Sequence, residues 1–246
     1  MSTRTKLIGA ALAVAVIPSI LNAQTPFTGT YGFDDVVANA GNATDPTPPP
    51  QSDGLHYGSF TANGLGATPR SSGIWNFSGW TTGTEPDVGK YFETTLSPLN
   101  GRSLDLDSLS FSVRRSASGP HEFAVRSSLD GFSGNLAGTL TPSNVELSYQ
   151  SGSFHFVNDI ASTANQAGPT IQFGTDFDQL NQPVTLRIYG FGAESGSGTF
   201  GVDDVALNGS MSAVPEPEEY AAMAAGSLVV FAAWRRRTQM KSARKP

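Results

Sequence analysis

No cysteine occurs anywhere in the 246 residues. That excludes disulfides, zinc-thiolate centres and cysteine nucleophiles, and leaves the fold to be held by its core or by a metal. Charge is also scarce, at 15% of the chain against the roughly 25% usual for globular proteins. Sustained helical periodicity is missing from the body, which argues against a helical bundle. No Gly-x-Ser-x-Gly elbow is present, and no phosphate-binding glycine loop lies between a strand and a helix. Gly196-Ser197-Gly198 reads as a hairpin turn.

Basic residues are few where acidic ones are many. Residues 24–219 carry seven basic and 21 acidic side chains, a surplus of fourteen negative charges, whereas the remaining basic residues lie at the two ends. Such a body repels phosphate, so nucleic acid is not its partner. It suits a soluble exported domain, one with reason to attract cations.

What is present begins with the ends. Arg4 and Lys6 precede an apolar run from Leu7 to Ile17, Pro18 stops it, and Leu21-Asn22-Ala23 offers a small-residue cleavage point before Gln24. Residues 1–23 therefore read as a secretory signal peptide. At the other end, Val214-Pro215-Glu216-Pro217 is held extended by its prolines. Tyr220 to Trp234 is uncharged and apolar, and Arg235, Arg236 and Arg237 follow. At 1.5 Å per residue that run spans about 22 Å, short of the roughly 30 Å hydrocarbon core. Interfacial aromatics, a cationic stop and local bilayer thinning make it a marginal transmembrane helix, 220–234. Residues 238–246 are a basic cytoplasmic tail.

The order Pro215-Glu216-Pro217, apolar helix, Arg235–Arg237 resembles the PEP-CTERM sorting signal over roughly the last 33 residues. The resemblance implies that residues 213–237 are recognised by an exosortase, a membrane-embedded cysteine peptidase, and cut near the Pro-Glu-Pro segment. It also implies a Gram-negative host that makes extracellular polysaccharide. The expected route is export through the inner membrane, transient anchoring, then release to the outer surface or medium.

Between the ends, residues 24–53 read as a leader and a proline-rich loop, within which Phe33-Asp34-Asp35-Val36 opens a strand. From Gly54 onward short strands alternate with turns. Candidates are Leu55–Thr61, Gly73–Phe77, Lys90–Leu96, Leu104–Arg115, Glu122–Ser128, Gly138–Leu140, Val145–Ser148, Gly152–Val157, Thr170–Phe173, Val184–Tyr189 and Gly198–Leu207. Leu109, Phe111 and Val113 share one face, as do Val184, Leu186 and Ile188, a period of two that marks half-buried antiparallel strands. The fold expected for 27–212 is all-β, a two-sheet antiparallel sandwich of jelly-roll type. Residues 186–205 and Gly32-Phe33-Asp34-Asp35 are similar to the closing and opening strands of jelly-roll and carbohydrate-binding-module-like sandwiches.

Three kinds of site are candidates. Phe33-Asp34-Asp35-Val36 and Val202-Asp203-Asp204-Val205 repeat one pattern at opposite ends of the domain. If the first and last strands pair, Asp34, Asp35, Asp203 and Asp204 converge and would hold a structural calcium; the bland reading is solvated strand ends. Asp105 and Asp107, and Asp176 and Asp178, read as exposed. Trp75 and Trp80, with Tyr57, Phe77, Tyr91 and Tyr149, would give sugars a stacking platform, or equally fill a core. His56, His121 and His155 lack metal-ligand spacing, and nothing in sequence pairs Glu93, Glu122, Glu146 or Glu194 for glycoside hydrolysis. The function expected is non-catalytic, a surface or matrix protein associated with polysaccharide. A carbohydrate-binding module or a glycan hydrolase is the alternative.

Overall fold

Thirteen strands build two antiparallel sheets in the computed structural model, which describes residues 24–158, 164–214, 225–229 and 231–236. The first sheet runs β1 (Thr25–Tyr31), β13 (Phe200–Ala213), β6 (Arg102–Arg115), β11 (Pro169–Gln172), β8 (Gly138–Leu140), with β4 (Trp75–Phe77) also on β13. The second runs β2 (Leu55–Tyr57), β5 (Tyr91–Pro98), β12 (Val184–Ala193), β7 (Pro120–Ser127), β10 (Ser153–Phe156), β9 (Leu147–Gln150), with β3 (Thr61–Asn63) also on β5. From β5 onward the chain changes sheet at almost every strand, so sequence neighbours face each other across the core.

The 14-residue β6 and β13 pair from Phe200↔Arg115 to Ala213↔Arg102 and form the spine of the first sheet. Leu109, Phe111 and Val113 of β6 are buried at the period-two spacing, and Val202, Val205 and Leu207 of β13 are buried with one extra residue between the first two, where β13 is bulged. In the second sheet Val184, Leu186 and Ile188 point inward from β12. An aromatic chain fills the space between. Phe33 stacks on Trp75 at 5.9 Å, Trp75 meets Phe77 at 4.8 Å, Trp80 meets Phe92 at 5.0 Å and Phe200 at 5.5 Å, and Phe123 meets Phe154 at 5.1 Å. Each pair adds about 0.5–1.5 kcal/mol beyond the area it removes from water.

The leader contributes β1 to the sandwich, pairing with β13 from Thr25↔Met211 to Tyr31↔Val205. One expectation is corrected here. Phe33-Asp34-Asp35-Val36 does not open a strand. It is the turn that leaves β1, closed by Val36 N–H donating to Phe33 O at 3.0 Å, with Phe33 at φ 57°. The expected signal peptide, residues 1–23, Pro215 to Pro217, Arg237 and residues 238–246 lie outside the described residues.

Candidate functional site

The pairing of β1 with β13 brings the two Asp-Asp segments to one seam. Tyr31 lies opposite Val205, so the turn holding Asp34 and Asp35 emerges beside Asp203 and Asp204. β13 is bulged at this point: its register on β6 jumps between Asp203 and Ala206, and Asp204 takes the left-handed conformation, φ 48°. A bulge re-aims the side chains it carries. Burial raises the Asp203 carboxyl above the ordinary carboxylate range, and the charges of Asp204 and Asp34 add to it. Asp203 is also occupied, its Oδ2 accepting from Asn165 Nδ2 at 2.6 Å and its Oδ1 from Asp204 N–H at 3.0 Å.

A fifth carboxylate joins from the proline-rich loop. Asp45 is 6% exposed. Its N–H donates to Phe60 O at 2.8 Å, and the Thr44↔Thr61 bridge fixes the strand of chain before it. Asp45 Oδ1 accepts from Thr47 N–H at 2.9 Å, while Thr47 Oγ1 accepts from Asp35 N–H at 3.0 Å. Asp45 Oδ2 has no hydrogen-bond partner. Burial raises this carboxyl above its usual range; hydrogen bonding from Thr47 holds it back in part, and the negative charges of Asp35 and Asp34 add to the rise. The four-aspartate calcium set is therefore only half assembled: the seam forms, but Asp203 turns to Asn165, and the buried acid is Asp45. Among the described residues no three acidic or histidine side chains are grouped closely enough to hold a metal by themselves.

The aromatic platform is corrected outright. Trp75 and Trp80 are 0% and 1% exposed, and both are core. Trp75 lies on β4, which pairs with β13 as part of the first sheet, Trp75 opposite Val202 and Phe77 opposite Phe200, while Trp80, just beyond β4, packs on Phe92 and Phe200. Phe77 and Tyr57 are buried as well, and Tyr149 packs against the core. Tyr91 alone of the six stands on an outer face, in a cluster that sequence gave no sign of. There Arg187 donates from Nε to Glu93 Oε2 at 2.6 Å. Its guanidinium lies 3.9 Å from the Tyr91 ring centroid and 3.7 Å from that of Phe132. Arg126 lies over Tyr189 at 5.4 Å and donates to Asn135 and to Phe132 O.

Glu93, Glu122, Glu146 and Glu194 each have a partner of another kind. Glu93 meets Arg187, Glu122 meets His155 at 3.6 Å, Glu146 accepts from Asn158 at 2.8 Å, and Glu194 faces His121 at 3.2 Å. His56 is exposed on β2. Asp105, read as exposed, is instead buried, taking Gln179 N–H at 2.5 Å and Gln24 Nε2 at 2.9 Å.

Of the stretch expected to be a sorting signal, residues 225–229 and 231–236 are helical, and Arg235 and Arg236 lie on the second piece. Leu228, Val229 and Phe231 are 69%, 68% and 57% exposed. No helix among the described residues is long and apolar enough to cross a membrane; the expected span 220–234 falls partly outside them.

No protein-family model matches the chain, and no curated protein does either. Among solved structures it is similar to the K3 cleaved adhesin domain of Lys-gingipain (Kgp) from Porphyromonas gingivalis w83, at 12% identity and a TM-score of 0.36, over 75% of this chain and 99% of that one. A likeness this loose carries no argument about function.

Proposed function

We propose that the chain is an exported, non-catalytic cell-surface or matrix protein, a jelly-roll sandwich handed over by an exosortase-type enzyme and associated with extracellular polysaccharide. One observation carries the reading. The sandwich finishes where the sorting signature starts: β13 ends at Ala213, Val214 N–H makes a last bond to Gly101 O at 2.9 Å, and Pro215-Glu216-Pro217 follows at once. A cut there leaves every strand intact. The exposed Leu228, Val229 and Phe231 are the apolar surface that a bilayer would cover, and the arginines after them would hold the orientation.

The test is fractionation of the native host expressing Pro215→Ala with Glu216→Ala. Full-length precursor should accumulate in the membrane fraction, while wild type is shortened and leaves it. Release of the variant at the wild-type rate and mass would remove the reading.

The carbohydrate-binding alternative shifts from the tryptophans to Tyr91, the ring on the outer face of the second sheet. Retardation of the protein in gels cast with the host's polysaccharide should weaken for Tyr91→Ala. A hydrolase is disfavoured by the separate partners of Glu93, Glu122, Glu146 and Glu194.

A further inference from the structure

We propose that the seam between the β1 turn and β13 binds one calcium-class divalent cation, with Asp45 as its buried anchor. Three chain segments reach the seam: the turn with Asp34 and Asp35, the proline-rich loop with Asp45 and Thr47, and the β13 bulge with Asp203 and Asp204. Acidity alone would mean little here. The second observation is the carboxylate oxygen Asp45 Oδ2, which has no donor although its residue is 6% exposed. A buried carboxylate oxygen without a partner is unfavourable unless a proton or a cation supplies the missing charge. Asp34 and Asp35 are close enough to oppose its ionisation, and a divalent cation beside Asp45 would offset more of that negative charge than a single proton.

The side chains at the seam select the cation. They offer oxygen, from carboxylates and the Thr47 hydroxyl, with no imidazole or thiol. Zinc prefers nitrogen and sulfur. Calcium accepts six to eight oxygens at loose geometry and takes backbone carbonyls and waters readily, whereas magnesium demands a near-ideal octahedron. Because no three acidic side chains are grouped tightly, one or two carboxylates with backbone and water complete the shell. Such sites in extracellular modules bind at about 10⁻⁴–10⁻³ M. Its effect would be to pin the proline-rich loop and the β1 turn onto the last strand.

The test uses the full chain, purified in detergent and freed of divalent ions with chelator. Titration with calcium chloride should report one site, and a tenfold excess over Kd should raise Tm by about 3–6 °C. Asp45→Asn should abolish both responses and melt higher than wild type in chelator, since it removes the uncompensated charge. Asp34→Asn with Asp35→Asn, both at exposed positions, should keep the metal-free fold and weaken calcium binding at least tenfold. Three results would each overturn the proposal: no calcium response in wild type at 10 times the upper Kd above, an unchanged response in Asp45→Asn, or an equal response to sodium chloride of the same ionic strength, which marks screening of the acidic body. If Asp45→Asn does not fold, the double variant decides, and wild-type affinity there refutes the site.

Discussion

Arg187 and Glu93 are directly opposed residues on β12 and β5, joined on the outer face of the second sheet by a 2.6 Å Nε–Oε2 bond. Their side chains are 21% and 25% exposed, between the surface pairs that contribute under 1 kcal/mol and the buried ones whose disruption costs 3–5 kcal/mol. Two rings flank the guanidinium, so the planar group is held as well as paired. Arg187→Ala should lower stability by about 2 kcal/mol. Arg187→Lys, which keeps charge but not the stacked plane, should lose about 1 kcal/mol. Urea midpoints at constant m check both. An Arg187→Ala midpoint within error of wild type would show the cluster to be decorative.

The two core tryptophans differ in one bond. Trp80 Nε1 donates to Phe77 O at 2.9 Å, whereas Trp75 Nε1 is buried with no acceptor. Truncating either to alanine should cost about 3–5 kcal/mol, the cavity expected for a buried indole. The phenylalanine substitutions should separate them. Trp75→Phe removes an orphan donor; Trp80→Phe breaks a bond and strands a buried carbonyl. Trp80→Phe is therefore expected to be worse by about 1–2 kcal/mol. Thermal melts of the four variants give the order, and equal losses for the two phenylalanine variants would contradict it.

Strands whose apolar residues alternate were legible in the sequence, and β8 spans the very residues expected, Gly138–Leu140. β1 was hidden because its one inward position between Phe27 and Tyr31 is Gly29, which breaks the alternation. The shared parity of Trp75 and Phe77 already pointed inward. Asp45 gave no signal, since an acid beside Pro46 in a Thr-Pro-rich stretch looks solvent-facing, and its burial depends on Phe60 O and Thr61 of another segment. The Arg187 clamp was equally invisible: Phe132 reaches it from a loop 55 residues away in sequence, and only tertiary packing joins them.

Gly29 is where the two sheets interlock. A methyl group on it would lie 2.5 Å from Cε1, Cζ and Oη of Tyr57, a residue of the opposite sheet that is itself buried and holds Ser52 Oγ at 3.1 Å. The ring cannot retreat without breaking that contact and its edge packing on Tyr31 at 6.4 Å. Gly29→Ala should thus cost about 1–3 kcal/mol through overpacking, although alanine ordinarily suits a strand better than glycine. The companion Gly29→Ala with Tyr57→Leu should recover part of the loss. Additive losses in that pair, measured by chemical denaturation, would mean the ring is not what the methyl meets.

Phe132 holds the left-handed conformation, φ 61°, which is unfavourable for an L-residue by about 1–2 kcal/mol. Its backbone is fixed from both sides: its N–H donates to Ser127 O at 2.8 Å, and its carbonyl accepts from Arg126 Nη1 at 3.1 Å. The loop cannot relax by turning one peptide, because Asp130 also gathers Ser133 N–H, Ser133 Oγ and Gly134 N–H at 3.3, 3.0 and 2.8 Å. What holds the ring in place is its packing over Arg187. Phe132→Ala loses that packing and keeps the strain, whereas Phe132→Gly loses the packing and sheds the strain. Glycine should therefore be the more stable replacement by about 1 kcal/mol, reversing the order found where φ is negative. Denaturation midpoints of the two variants decide it; an alanine variant equal to or above the glycine one would mean that the loop has another way to relax and that the stacked ring, not the backbone, sets its shape.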